Sequence, residues 1–97
     1  MAKKKQTKST GRKRVTFRLE SEPGKQIAVA GTFNNWDVEK RFLKDKNNSG
    51  EYQAVMLLEP GTYEYKFYID GNWSIDPKNP NFEANSMGTV NSVIVVE

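Results

Sequence analysis

The sequence predicts an all-β domain, and three features support this prediction. Apolar side chains recur at every second position in several short stretches, which is the period of a half-buried strand. Turn-forming residues separate these stretches at near-regular intervals. No stretch has the i, i+3, i+4, i+7 apolar spacing of an amphipathic helix. Together these features favour an antiparallel β-sandwich of immunoglobulin-like shape with about seven short strands, and an open five-stranded barrel is the main alternative.

The first half of residues 61–80 shows the alternation most clearly. Alternate positions form an apolar face, made of Tyr63, Tyr65, Phe67 and Ile69, and a mixed face, made of Thr62, Glu64, Lys66 and Tyr68. Asp70 and Gly71 then suit a two-residue hairpin turn, because glycine adopts positive φ without steric cost. This turn places Tyr68 opposite Trp73, and cross-strand partners share a face. The indole is therefore expected on the mixed outer face, close to the lysine, where it can serve as a binding platform.

The remaining apolar stretches predict further strands at residues 15–19, 27–31, 41–44, 51–58 and 90–96. Within the strand at 51–58 we expect four inward side chains: Tyr52, Ala54, Met56 and Leu58. Asn34 and Asn35 tolerate turn conformations, so we expect them to reverse the chain and present Trp36 at the rim. Residues 75–88 contain two prolines and several turn formers, and an ordered irregular loop is expected there.

Charge divides the chain of 97 residues into two parts. Residues 1–14 carry seven Lys or Arg and no acid, whereas residues 15–97 carry eight bases and twelve acids, a net charge of about −4. We therefore predict a disordered basic tail at 1–14 and one folded domain at 15–97. The tail has three open explanations: a solubilising segment, a weak attraction to nucleic acid or another polyanion, and a localisation signal.

The composition argues against catalysis. The chain has no Cys, which excludes disulfides and thiolate chemistry. It also has no His, which removes the commonest general base, the histidine-dependent triads and most zinc sites. A pair of carboxylates could still hydrolyse a glycoside, but that reaction needs a deep cleft, which so small a domain rarely offers. We therefore expect a protein that is not an enzyme and has no metal or other cofactor.

The sequence also predicts a location. No stretch is long and apolar enough to span a bilayer, and no apolar segment follows the basic start as it would in a secretory signal. A cytoplasmic protein without a membrane partner is expected.

Three motifs resemble one known family. They are GTFNNW at residues 31–36, YKFYIDGNWSIDP at residues 65–77 and MGTVNSVI at residues 87–94. In this order and spacing they resemble the glycogen-binding domain of the AMP-activated protein kinase β subunit. They are equally similar to the early-set module of starch branching and debranching enzymes, carbohydrate-binding module family 48. The resemblance covers residues 15–96 and implies a β-sandwich that binds α-1,4-linked glucans, such as glycogen or starch, without catalysis.

The same resemblance implies sugar-binding roles for six residues: Trp36, Lys66, Trp73, Met87, Thr89 and Asn91. The two tryptophans match positions that stack on sugar rings, and the lysine matches one that binds sugar hydroxyls. The threonine and the asparagine match polar residues of the family's last loop. The methionine stands where the kinase domain usually has a leucine that supports the glucan, and it fills a similar volume with more flexibility.

The resemblance has no counterpart for two segments of the β subunit, its myristoylated start and its carboxy-terminal kinase-assembly segment. A free-standing module is therefore expected. Its expected partners are an α-glucan and, in trans, a glucan-metabolising enzyme or a kinase.

Five of the six site residues also have a plain structural explanation. Trp36 can plug one end of the sandwich, and a one-residue slip of the hairpin would turn Trp73 inward. Lys66 suits a solvated strand position, and Thr89 and Asn91 suit edge or loop positions. Two other functions are also open. One is single-stranded nucleic acid binding, which the net acidic domain disfavours. The other is a scaffold domain that binds another protein and leaves its sugar site unused.

Overall fold

A computed structural model of the chain describes residues 11–97. It contains seven strands: β1 (Lys13–Glu20), β2 (Ile27–Gly31), β3 (Glu51–Leu58), β4 (Gly61–Ile69), β5 (Asn72–Ser74), β6 (Phe82–Ala84) and β7 (Val90–Val96). A short 3-10 helix, Thr32–Asn34, follows β2, and residues 11–97 contain no α-helix. The prediction of an all-β fold is therefore confirmed.

The strands form two antiparallel sheets. One contains β1 and β3, and the other has the order β2-β4-β7-β6, with β5 also paired to β4. Because the pairing leaves two separate sheets rather than one closed ring, the sandwich prediction is confirmed and the barrel alternative is wrong.

The core lies between the two sheets. Phe17 from β1 contacts Tyr65 from β4 edge to face, with ring centroids 4.9 Å apart. Apolar residues of both sheets, together with Leu43 from the segment between β2 and β3, complete the core: Leu19, Ile27, Val29, Tyr52, Ala54, Leu58, Phe67 and Val96. The inward face predicted for β3 is confirmed, although Met56 is only partly buried. Burial of these side chains supplies the main driving force for folding.

The predicted strand at residues 41–44 is wrong. Instead, the segment makes two isolated bridges, one between Phe42 and Ala28 of β2, the other between Lys44 and Gln53 of β3. The chain therefore crosses from the edge of one sheet to the edge of the other and stays too briefly on each to form a ladder. It closes one side of the sandwich, and Leu43 points into the core between the two bridges.

The loop predicted at residues 75–88 contains a strand that the sequence did not reveal. Strand β6 pairs with β7 through Phe82 with Ser92, Glu83 with Asn91 and Ala84 with Val90. At three residues it is too short to show alternation. Its edge position also exposes both faces, so its residues follow no burial pattern.

The first strand begins earlier than the strand predicted at residues 15–19. β1 begins at Lys13, which pairs with Leu58, so the strand starts two residues before Val15. Pairing with β3 supplies the backbone hydrogen bonds, so these positions need no apolar side chain. Residues 1–10 of the predicted tail lie outside the described residues, and the division of the chain at residue 14 stays a prediction. Within residues 11–97 no helix could cross a membrane.

Candidate functional site

The hairpin at residues 61–74 positions the candidate site. Tyr68 pairs with Trp73 and Ile69 with Asn72, which is the predicted register, and Asp70 and Gly71 form the turn with φ of 47° and 90°. Tyr68 and Trp73 therefore share the outer face of the sheet. Their rings lie 4.8 Å apart between centroids, and 47% of Trp73 is exposed.

Lys66 lies where β4 changes its neighbour. The ladder with β7 ends at the pair of Tyr65 with Ser92, and the ladder with β5 begins at the pair of Phe67 with Ser74. On this edge of β4 the lysine therefore stands between two halves of the candidate site. The aromatic half comes from β5, and the polar half comes from β7 and the turn before it.

Trp36 reaches the aromatic half from the opposite edge of β4, through the turn that follows β2. Its indole meets Trp73 edge to face, with centroids 6.1 Å apart and planes inclined by 72°. Both Asn35 and Trp36 have left-handed backbones, with φ of 58° and 59°. This conformation is unfavourable for a bulky aromatic residue. The surrounding turn therefore has to hold Trp36 in place.

Asn34 supplies much of that restraint. Its side chain accepts a hydrogen bond from the Gly31 amide (3.0 Å) and donates one to the Val29 carbonyl (3.2 Å). The Trp36 amide donates to the Gly31 carbonyl at 2.9 Å. These bonds close the turn against the end of β2, as predicted for the asparagine pair, and leave Trp36 half-buried at the rim.

The turn also depends on Gly31, where β2 runs very close to β4. A Cβ atom at this position would overlap the Glu64 carbonyl oxygen and would lie 2.8 Å from the Tyr65 Cβ. Only glycine permits this approach without displacing backbone. The first residue of the GTFNNW motif is thus fixed by packing.

The polar half is a network centred on Asn85, a residue that the sequence analysis missed. The Asn85 amide nitrogen donates to Thr89 Oγ1 at 2.7 Å and to Asn91 Oδ1 at 3.4 Å. Its side-chain oxygen, Oδ1, accepts from the backbone amides of Met87 and Thr89, at 3.0 and 3.1 Å. An asparagine three residues before a glycine, here Gly88, is a turn signal that could have indicated this role.

Lys66 and Glu64 join the network from β4. Lys66 Nζ donates to Thr89 Oγ1 at 3.3 Å, and the Asn91 amide donates to Glu64 Oε1 at 2.9 Å. Asn91 is only 7% exposed, so its side chain acts mainly through these partners. Thr89, in contrast, is exposed and can offer its hydroxyl to a ligand.

A second cluster, also missed, anchors the loop after Trp73 inside the domain. Tyr65 Oη donates to the buried Asp76 at 2.7 Å and accepts from the Asn79 amide at 3.0 Å. The Asp76 amide in turn donates to Ser92 Oγ at 2.9 Å. Burial raises the pKa of Tyr65 above its ordinary value. The hydrogen bond from the Asn79 side chain lowers this pKa, whereas the hydrogen bond to Asp76 and the negative charge of Asp76 raise it further. Tyr65 is therefore a neutral hydrogen-bond donor at physiological pH.

The structure places the six predicted site residues as follows. Trp36 and Trp73 are in direct contact, and Lys66 and Thr89 are hydrogen-bonded. Asn91 lies beneath the network, and Met87 is 85% exposed at the tip of the turn that Asn85 holds. Among residues 11–97 no group of three or more Asp or Glu side chains is arranged to hold a metal ion.

Comparison with known proteins identifies the family. A profile of the family described as the glycogen recognition site of AMP-activated protein kinase matches residues 14–97. The chain is 36% identical over 90 residues to 5'-AMP-activated protein kinase subunit beta-2 of Rattus norvegicus and of Homo sapiens, which covers 93% of this chain. It is 38% identical over 74 residues to subunit beta-1 of Homo sapiens, which covers 76% of this chain.

The chain therefore belongs to the family of AMP-activated protein kinase glycogen recognition domains, as the three motifs indicated. It spans between a quarter and a third of the length of the curated relatives it matches, 32% for beta-2 and 26% for beta-1. The likeness thus concerns this one domain of those proteins.

Proposed function

We propose that this protein is a non-catalytic module that binds α-1,4-linked glucans, such as glycogen or starch, by stacking sugar rings on Trp36 and Trp73. The observation that carries the proposal is the contact between these two indoles at the solvent side of the sheet. Membership of a glycogen recognition family supports the same ligand class.

The chemistry of the site suits a sugar. A pyranose has apolar C–H faces and a belt of hydroxyls, so an exposed indole covers the face while a lysine and a threonine reach the belt. The planes of the two indoles are inclined by 72°, which favours a ligand that curves between them over a flat ribbon. α-1,4-linked glucose chains curve in this way.

The expected affinity is weak. If a sugar ring covers about half of an indole, each ring contributes roughly 2 kcal/mol at ~25 cal/mol per Å². Two rings and a few hydrogen bonds, less the cost of association, correspond to a Kd on the order of 10 μM to 1 mM. Many repeated sites along a polymer then raise the apparent affinity through avidity.

A titration of the full chain with maltoheptaose, followed by amide NMR shifts, tests the proposal. Signals around Trp36, Lys66 and Trp73 should move, and Trp73→Ala should weaken binding roughly tenfold or more, since one stacking surface is lost. Leu57→Ala, an exposed apolar position on the other sheet, is the matched control. If no signal moves at millimolar sugar, the proposal is wrong.

The predicted partner in trans, a glucan-metabolising enzyme or a kinase, stays a prediction. The curated relatives are subunits of a kinase, which motivates it. Coelution of the purified chain with such an enzyme on size exclusion tests it, and separate elution at micromolar concentration of both would contradict it.

A further inference from the structure

A cavity beside the tryptophan pair carries a further inference, which rests on the proposed function. It has a volume of about 470 Å³ and opens on the outer face of the same sheet. Known small-molecule sites span about 300–1,000 Å³, so it can hold a ring-sized ligand.

The cavity follows from a row of side chains across the sheet. Trp73 pairs with Tyr68, Tyr68 pairs with Ala28, and Ala28 is bridged to Phe42. Since neighbouring strands are about 4.8 Å apart, Tyr68 and Phe42 stand about 9.6 Å apart across two strand spacings. The residue between them, Ala28, has a small side chain that is 1% exposed and lines the cavity at its inner end, with an aromatic side chain on each side of it.

The rim of the cavity is polar and acidic. Gln26, Glu39 and Asp70 lie on it. The Asp70 side chain accepts a hydrogen bond from the backbone amide of Gln26 at 3.0 Å and forms an ion pair with Lys25 at 3.5 Å. Within residues 11–97, however, the side chains of Gln26 and Glu39 make no hydrogen bond or ion pair to protein. Carboxylate and amide groups accept hydrogen bonds from hydroxyls, and two carboxylates disfavour an anion.

We propose that this cavity is a third sugar subsite, which takes one glucosyl unit of the same glucan chain that stacks on Trp73. Tyr68 forms the wall shared by the two places, because one side of it packs on Trp73 and it also lines the cavity. A glucan long enough to pass over Tyr68 reaches the cavity, whereas a short one occupies only the tryptophan pair.

Two ligand lengths and a cavity-filling variant test this. The full chain is titrated with maltotriose and with maltoheptaose by amide NMR. In the wild type, maltoheptaose should also shift the amides of Gln26 and Gly71. In Ala28→Leu the larger side chain occupies the cavity, so affinity for maltoheptaose should fall roughly three- to tenfold while affinity for maltotriose is unchanged.

Val55→Leu, on the exposed face of the other sheet, is the matched control and should change neither affinity. If Ala28→Leu does not fold, as judged by its amide spectrum, Glu39→Ala at the exposed rim replaces it with the same expectation. An unchanged affinity for maltoheptaose, or an equal loss for both sugars, overturns the third subsite and leaves the tryptophan pair intact. Absence of binding of either sugar to the wild type instead overturns the proposed function itself.

Discussion

The indole of Trp36 meets the indole of Trp73, at 6.1 Å between centroids, while its own backbone takes a φ of 59°. A left-handed backbone costs an L-residue roughly 1–2 kcal/mol, and such outliers gather at binding sites. The backbone at Trp36 is therefore strained.

Replacing Trp36 by glycine or by alanine should separate the effect of backbone strain on stability from the effect of the indole ring on sugar binding. Both variants lose the indole and should bind maltoheptaose at least tenfold more weakly. Glycine accepts positive φ freely, so Trp36→Gly should be more stable than Trp36→Ala by about 1 kcal/mol in urea unfolding. Equal stability of the two variants would show that position 36 is not strained.

Asn85 should matter for both stability and binding. Asn85→Ala removes the contacts that hold Met87, Thr89 and Asn91, so we expect a loss of about 1–2 kcal/mol in unfolding free energy. Affinity for maltoheptaose should fall as well, because the Thr89 hydroxyl loses its position. Asn81→Ala is the control, since no hydrogen bond of the Asn81 side chain is seen within residues 11–97. Equal behaviour of the two variants would argue against the network.

The hydroxyl of Tyr65 should contribute far more to stability than that of Tyr63. Tyr65→Phe removes the hydroxyl that donates to the buried Asp76 Oδ2 and one of the two acceptors of the Asn79 side-chain amide, at a cost of about 2 kcal/mol. Tyr63 donates only to the Glu59 carbonyl at an exposed site, so Tyr63→Phe should cost less than about 1 kcal/mol. Urea unfolding followed by tryptophan fluorescence measures both, and similar losses would contradict the anchoring role of Asp76.

Two glycines allow a comparison between steric overlap and backbone strain. Gly31→Ala forces Cβ against the Glu64 carbonyl and should destabilise by about 2–3 kcal/mol. Gly24 has φ of 88°, and a Cβ atom there would meet no other atom within 4 Å, so Gly24→Ala should cost only about 1–2 kcal/mol. Thermal unfolding distinguishes them, and the reverse order would mean that β2 can move away from β4.

The lowered pKa of Asp45 predicts that the stability of the fold depends on pH. Desolvation raises the pKa of this carboxyl, but hydrogen bonds from the Ser49 and Gly50 amides outweigh it, and the pKa is lowered overall. A carboxyl whose pKa is lowered by folding stabilises the protein at pH values above its pKa in the unfolded chain, about 3.9. This contribution is lost as the pH falls through the pKa of the folded state. The stability difference between wild type and Asp45→Asn should therefore be present at pH 6 and shrink below pH ~4. A difference independent of pH would contradict the role of the charge.

The sequence was sufficient to predict those elements whose local residues allow only one conformation. Asp70 and Gly71 determine the turn, and the turn length determines that Trp73 faces Tyr68. The alternation in β3 and β4 likewise identified the inward side chains, because a half-buried strand must keep its period.

Other features could not be predicted because they depend on distant partners. Residues 41–44 look like a strand, yet their partners Ala28 and Gln53 belong to different sheets. Asn85 and Asp76 resemble ordinary turn residues, and only the approach of β7 and of Tyr65 reveals their roles. The cavity over Ala28 depends on which residues lie next to it across the sheet, which the linear sequence does not state.

The change of neighbour at Lys66 has a consequence for how such a domain can diversify. The strands that flank this point, β5 and β7, both pair with β4, so β4 sets the distance between the aromatic and polar halves. Insertions or deletions in the connection between β5 and β6 would reshape the surface beside the two halves while both ladders keep their pairing. Ligand preference can thus be retuned by loop length alone, with the hydrophobic interior left as it is.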